Sequence, residues 1–219
     1  MEAACDTARA RSMTGNEVPK IGGLLLAAGG SSRFGSPKQL LQFQGRSLLR
    51  RAAESLIESQ CNPVIVVLGG EIERSKTEIA DLSLKIIVNE DWESGMSSSI
   101  RAGVQELLNI EPNLAAIIIT LCDQPHVTAQ DIDLLIDEFH QTKATVVAAE
   151  YGGTKGVPAL FSCSLFDELL ALKGDRGARQ LIRNGNDVAT VKLAGAAFDI
   201  DTPDDLNGPG REINYQESP

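Results

Sequence analysis

The sequence predicts an α/β fold in which helices cover both faces of a mostly parallel central sheet. Apolar, strand-like runs alternate with amphipathic helical stripes from residue 21 to about residue 149. The most apolar run, Leu114–Leu121, is flanked by polar loops and belongs at the centre of such a sheet, where both faces are covered. Several of these runs end in Gly or Asp, the residue types that close a strand and begin a loop.

Leu24–Ala28 opens into Gly29-Gly-Ser-Ser-Arg33. This pattern reads as a buried strand whose C-terminal end enters a loop able to fold around an anion. Leu48, Leu49, Ala52, Ala53, Leu56 and Ile57 then recur at helical spacing behind Ser47, a suitable N-cap. Pro63–Leu68 is β-branched and stopped by Gly69-Gly70, and a polar helix near 71–81 leads to a third strand at 84–88. Strands and helices in this order imply right-handed crossovers between parallel strands.

Asn89–Ser99 breaks the pattern, and a helix follows from 97 or 98 to 108. After the apolar run, Thr128 and Asp131 have the spacing of a capping box ahead of the stripe Ile132, Leu135, Ile136 and Phe139. A fifth strand is expected at 144–149. Beyond Tyr151 the chain is richer in glycine, with strands expected at 157–161, 188–193 and 198–200 and helices at 165–172 and 178–183. This half is expected to decorate the sheet and supply a second binding surface. A single domain over 21–206 is expected between disordered tails at 1–20 and 207–219.

The 219 residues are enough for one good-sized core, and 42% hydrophobic with 23% charged residues is ordinary globular usage. Twenty Lys+Arg against 30 Asp+Glu give a formal net charge of -10. That balance argues against a nucleic-acid partner but leaves room for a small anion held by a few cations. Cys5, Cys61, Cys122 and Cys163 form no C-x-x-C pair, so zinc patterns are excluded and reduced thiols in a cytoplasmic protein are expected. No apolar stretch approaches the ~20 residues of a membrane span, and the N-terminal segment lacks the apolar core of a secretory signal.

Three stretches carry chemistry. Gly30–Gly35 has the glycine spacing of a P-loop, yet Ser36-Pro37-Lys38 puts no hydroxyl residue directly after the lysine, and there is no G-x-G-x-x-G. The loop is read either as a phosphate cradle with Arg33 and Lys38 as its cations or as a Gly-rich turn with two solvated cations. Asp123 directly follows the apolar strand at the edge where α/β proteins bind ligands, and is either an oxygen ligand for a hard cation or a turn residue ahead of Pro125. Asp199 and Asp201 alternate onto one face, and Asp201 is either an N-cap before Thr202-Pro203 or, paired with Asp123, a metal ligand. His126 and His140 are expected to be exposed, Cys122 to be an inert small residue, and Trp92 to cover the sheet edge rather than line a pocket.

Together these stretches resemble the MobA-like nucleotidyltransferases, and among them the molybdenum cofactor cytidylyltransferases. The resemblance rests on Leu26-Ala-Ala-Gly29 through Arg33-Phe-Gly35 and Lys38, Gly95-Met-Ser-Ser-Ser99 with Arg101-Ala-Gly103, and Cys122-Asp-Gln-Pro125. Gly156-Val-Pro158, Gly174-Asp-Arg-Gly-Ala-Arg179 and Asp199-Ile-Asp-Thr-Pro203 complete it, in order, over about residues 21–206. It implies a Rossmann-like three-layer sandwich of the nucleotide-diphospho-sugar transferase type. It also implies Mg²⁺-dependent transfer of CMP from CTP to the terminal phosphate of molybdopterin, with pyrophosphate as leaving group.

In that reading Leu26, Ala27, Ala28, Gly29 and Gly30 hold base and triphosphate, Arg33 and Lys38 neutralise the phosphates, and Gly95 and Met96 contact base or ribose. Asp123 and Asp201 ligate Mg²⁺, and Arg33, Lys38 and Asp123 carry catalysis. Gly156, Pro158, Asp175 and Arg179 face the acceptor. The guanylyl-using branch reads Leu-Ala-Gly-Gly at the first motif, so Ala28 favours CTP over GTP. Alternatives are another phosphorylated acceptor, such as a sugar or polyol phosphate, or a non-catalytic carrier of the cofactor. A molybdoenzyme or its maturation chaperone is the implied protein partner.

Overall fold

The computed structural model describes residues 19–29, 37–175 and 177–200. Gly30, Arg33, Arg176 and Asp201 fall outside the described residues, so their expected roles remain expectations from sequence. In chain order the elements are β1 (Ile21–Ala27), β2 (Gln42–Phe43), β3 (Arg46–Ser47), α1 (Leu48–Glu58), β4 (Val64–Leu68), α2 (Ile72–Glu78) and β5 (Lys85–Val88). Then come α3 (Met96–Ile110), β6 (Ala116–Leu121), α4 (Ala129–Thr142), β7 (Val146–Tyr151), β8 (Thr154–Ser162), α5 (Phe166–Leu170), α6 (Arg179–Asn184) and β9 (Val188–Lys192).

The main sheet has the order β5-β4-β1-β6-β8-β7-β9. All neighbouring pairs are parallel except those made by β8, which runs antiparallel to both β6 and β7. Chain order moves outward from β1 through β4 to β5, then returns to place β6 on the other side of β1. The crevice beyond the C-terminal ends of β1 and β6 is therefore the switch point at which open α/β sheets take ligands.

Strand alternation divides the core into two layers. Leu25 and Ala27 of β1 face the stripe of α1 (Leu49, Ala53, Leu56) and that of α4 (Ile132, Leu135, Ile136). Leu24, Leu26 and Ala28 face α3 through Ile100, Val104 and Leu107, together with Phe166 and Ile182 from α5 and α6. Gly103 is required on that face, because a Cβ there would run into the Leu24 side chain. Helix starts follow the sequence: the Ser47 side chain accepts from Arg50 N–H at 3.1 Å, and Thr128 with Asp131 forms both halves of the capping box.

The glycine-rich half departs from expectation. The 157–161 strand is part of the longer β8, which enters the sheet between β6 and β7 as an integral member. The Gly152-Gly153 pair makes this possible: both have positive φ (+54° and +73°) and form a two-residue hairpin turn between β7 and β8. The strand expected at 198–200 does not form. Ala194–Ala197 is a 3₁₀ turn, and the chain then crosses the end of β6, where Ile200 N–H donates to the Asp123 carbonyl at 3.0 Å. Cys61 and Cys122 are free thiols, whereas Cys163 is disulfide-bonded, against the expectation of reduced thiols throughout.

Candidate active site

At the switch point a cavity of about 470 Å³ opens beyond β1 and β6. Its floor is Leu26, Ala27, Ala28 and Gly29, and Lys38 and Asp123 stand at one end. Gly95, Met96 and Asp175 form the opposite wall. The fold thus gathers from four separate chain segments most of the residues expected to hold nucleotide.

Asp123 follows β6 by two positions and is held from behind. Gln124, 3% exposed, donates its side-chain amide to Val157 O at 3.0 Å and to Ala196 O at 2.9 Å, which ties the loop after β6 to β8 and to the 194–197 turn. On the cavity side Lys38 Nζ donates to Asp123 Oδ2 at 3.0 Å. Asp123 Oδ1 is buried and has no hydrogen-bond partner among the described residues. A buried carboxylate oxygen left without a donor is costly unless a cation or a ligand donor meets it. Among the described residues no group of three or more His, Cys, Asp or Glu side chains forms a complete metal cage. One carboxylate with an uncommitted oxygen suits Mg²⁺, which is commonly bound by one or two carboxylates plus substrate phosphates. The residues present therefore fit a divalent cation.

The opposite wall is built by close approach. Gly95 has φ +109° and ψ 168° and precedes the first turn of α3. A Cβ there would overlap the Asp175 carboxylate and come within 2.9 Å of Gly174. The 172–178 segment is pinned to α3 by Ser97 N–H donating to Gly174 O at 3.2 Å and by Arg101 donating to Leu172 O. This packing brings Asp175 into the same cavity as Ala28, Gly95 and Asp123. Trp92 also lines the cavity, beside Gly69, rather than only covering the sheet edge.

Gly156, Pro158 and Arg179 lie outside this cavity. Pro158 is buried in β8, and the Gly156 backbone lies under the Tyr151 hydroxyl, leaving no room for a Cβ. Tyr151 donates to Val157 O at 3.3 Å. Burial raises its phenol above the usual range, helped by the negative charges of Asp199 and Asp123 and opposed by Arg179. Gly156 is therefore a direct neighbour of Tyr151, outside the cavity.

Sequence reasoning missed Ser99 and Asn89. Ser99 lines the cavity and is 3% exposed, and its oxygen accepts from the Asn89 side-chain amide at 2.9 Å. Asn89 also donates to Ser98 at 2.8 Å and accepts from Asp91 N–H at 3.1 Å. The only local signal was the serine run itself. Cys122 behaves as expected: burial and the adjacent Asp123 carboxylate push its thiol up to about 12. His126 and His140 are half-buried instead of exposed, His126 between two phenylalanine rings and His140 against Phe139.

The MobA-like NTP transferase domain matches this chain over residues 23–190. The chain belongs to that family. Among its relatives, nicotine blue oxidoreductase of Paenarthrobacter nicotinovorans is 30% identical over 78% of this chain and 85% of the relative. A probable molybdenum cofactor guanylyltransferase of Bacillus anthracis is 25% identical over 77% of this chain and 82% of the relative. The crystal structure of Rv0371c from Mycobacterium tuberculosis H37Rv superposes with a TM-score of 0.77 at 30% identity, covering 87% of this chain and 97% of that one. A second structure of Rv0371c is described as a complex with manganese (TM-score 0.72, 28% identity, 86% and 96% covered). This MobA-like chain is a nucleotidyltransferase with the nucleotide-diphospho-sugar transferase fold. No helix among its described residues is long and apolar enough to cross a membrane.

Proposed function

We propose that this MobA-like chain transfers CMP from CTP to the terminal phosphate of molybdopterin, with Mg²⁺ held by Asp123 and Asp201. The observation that carries the reading is Asp123 itself. Its carboxylate follows the central strand, lines the cavity with Ala28 and Gly95, shares one oxygen with Lys38 and has no partner for the other among the described residues. The structure of Rv0371c in complex with manganese supports divalent-metal use by this chain as well.

The residues supply the requirements of the reaction. Both reactants are anionic, so the protein must bring them together and stabilise charge that develops on the leaving pyrophosphate. Lys38, already within 3.0 Å of Asp123, can pass from that carboxylate to phosphate oxygens, and Arg33 on the preceding loop would be the second clamp. Mg²⁺, when bound, would neutralise phosphate charge and orient the α-phosphate for in-line attack. An ionised acceptor phosphate needs no general base. Gly156 and Arg179, which lie outside the cavity, would belong to the acceptor side.

Ala28 supports cytosine. It is buried, it lines the cavity, and its methyl takes space that Gly would leave for a purine. Ser99 accepts from Asn89 and so has its own proton left to offer a base acceptor such as a pyrimidine carbonyl. A second reading keeps nucleotidyl transfer and changes the acceptor to a sugar or polyol phosphate. It is favoured by the position of Gly156, Pro158 and Arg179 outside the nucleotide cavity, which leaves the acceptor wall broad. Delivery of the product to a molybdoenzyme or its chaperone would follow in the first reading.

The test is pyrophosphate release from CTP and from GTP with molybdenum cofactor, and with sugar and polyol phosphates in its place. Asp123→Ala should lower turnover by about 100-fold or more, beyond what loss of an outer-shell partner costs. Turnover within a few-fold of wild type would remove Asp123 from the metal site. Tight cofactor binding without turnover of any nucleotide would point instead to a carrier.

A further inference from the structure

The residues that would handle phosphate and metal come from three distant stretches of chain, and all three meet behind the cavity at one small aromatic cluster. The stretch carrying Lys38 continues into the β2–β3 hairpin, where Phe43 is 5% exposed. The stretch carrying Asp123 continues through Pro125 to His126. The stretch that leads toward Asp201 contains Phe198 and the fully buried Ile200. The His126 ring stands edge-on between the other two rings, 5.4 Å from Phe43 at 88° and 5.1 Å from Phe198 at 62°. Phe43, Leu48 and Ile200 form a separate buried cluster, with Leu41 and Phe198 packed against it.

Polar contacts lock the same three stretches. Ile200 N–H donates to Asp123 O at 3.0 Å. Arg51 of α1 lies over the Phe43 ring at 5.4 Å and donates to Pro125 O at 3.2 and 3.3 Å. The 194–197 turn closes directly on His126, since a Cβ on Gly195 would come within 2.7 Å of the His126 carbonyl. The His126 ring contacts both phenylalanines, so together with the Ile200 packing it joins the Lys38 side of the site to the 198–200 side.

We propose that His126 is a positioning residue: its ring, clamped between Phe43 and Phe198, fixes the 198–200 segment against the Asp123 backbone and so sets the geometry of the Asp123 carboxylate. Edge-to-face ring contacts of this kind are directional, which suits them to orient a segment rather than merely to fill space. The role rests on the proposed divalent-metal site, and it acts through Asp123 and the adjoining chain without contact to substrate. Loss of the ring should free the 198–200 segment to move off Asp123 while leaving the Ala28 and Gly95 walls in place.

The experiment is Mn²⁺ titration followed by electron paramagnetic resonance on the full chain, with thermal melting of each variant alongside. His126→Ala should weaken Mn²⁺ binding by about 10- to 100-fold, the usual cost of removing support behind a metal ligand. Phe198→Ala, which removes the other half of the contact from a half-buried position, should do the same if His126→Ala fails to fold. His126→Phe should restore Mn²⁺ binding, and CTP affinity measured without metal should be unchanged in every folded variant. Asp123→Ala is the control for the underlying reading. Mn²⁺ binding equal in wild type and Asp123→Ala would overturn the metal reading and the positioning role with it. Loss in Asp123→Ala with full retention in folded His126→Ala or Phe198→Ala would overturn the positioning role alone.

Discussion

Gly95→Ala separates backbone strain from site architecture. Gly95 has φ +109° and ψ 168°, a region essentially reserved for glycine and costing about 1–3 kcal/mol for other residues. In a chain of this size each kcal/mol lowers Tm by about 2–4 °C. The added methyl would also overlap the Asp175 carboxylate and approach Gly174 within 2.9 Å, so the 174–175 segment must move away from the cavity. If that wall provides one good contact to bound CTP, worth about 1.4 kcal/mol, Kd rises about tenfold. Gly174→Ala is the matched comparison, because Gly174 has φ +72° with no atom within 4 Å of the added Cβ. Gly174→Ala should therefore lower Tm without changing CTP affinity, whereas Gly95→Ala should change both. Calorimetric titration with CTP and thermal melting read the two effects independently. Unchanged CTP binding in Gly95→Ala would refute the placement of the nucleotide against this wall.

Further perturbations test the frame around the site. Ser47→Ala removes the acceptor of Arg50 N–H at the start of α1, and a lost N-cap of this kind should cost about 1 kcal/mol in chemical denaturation. Gly103→Val forces β-branched bulk into the Leu24 side chain, and overpacking should cost about 1–3 kcal/mol by the same assay. Asp81 is held at about 2, against its ordinary 3.8, chiefly because Arg50 donates to it. A depressed carboxylate contributes stability above its unfolded value that is lost as pH falls through about 2. The gap in denaturation midpoint between wild type and Asp81→Asn should thus be present at neutral pH and close near pH 2. Cys61 and Cys122 thiols are both pushed up to about 12 by burial. Neither should react with a thiol reagent at pH 8 in the native protein, and both should react once it is unfolded.

Much of the fold was legible because its signals are local. The β-branched run Val64–Leu68, the helical stripe after Ser47 and the Thr128–Asp131 capping box each specify their own element within a few residues. The antiparallel insertion of β8 was not legible in the same way. Gly152-Gly153 announces a hairpin, but nothing near it says that the returning strand will pair with β6 rather than end the sheet. The 198–200 segment alternates like a strand, yet its one described backbone bond to β6's loop, to the Asp123 carbonyl, runs across the end of the sheet instead of along an edge.

The site shows the same division. Ala28 and Asp123 follow apolar strands, and strand ends at a switch point are predictable places for ligands. The burial of His126 was misjudged, and the cavity-lining place of Asp175 was not legible, because their surroundings come from far away in sequence. Asp175 reaches the cavity only because the 172–178 segment folds onto Gly95 and Ser97, and His126 is enclosed by rings from residues 43 and 198. Asn89 was missed for a related reason: it looks like an ordinary break residue until Ser98 and Ser99 are brought around to it.

The central claim is that the cavity between Ala28, Gly95 and Asp123 binds a nucleoside triphosphate and prefers cytosine. Thermal melting with CTP or GTP, each with Mg²⁺, tests it most directly, because a ligand that binds only the native state raises Tm according to its affinity. At about 100 times Kd, CTP should stabilise by about 2.7 kcal/mol, or about 5–10 °C in Tm for a chain of this size, with GTP well below it. No shift with either nucleotide, or a larger shift with GTP, would contradict the account.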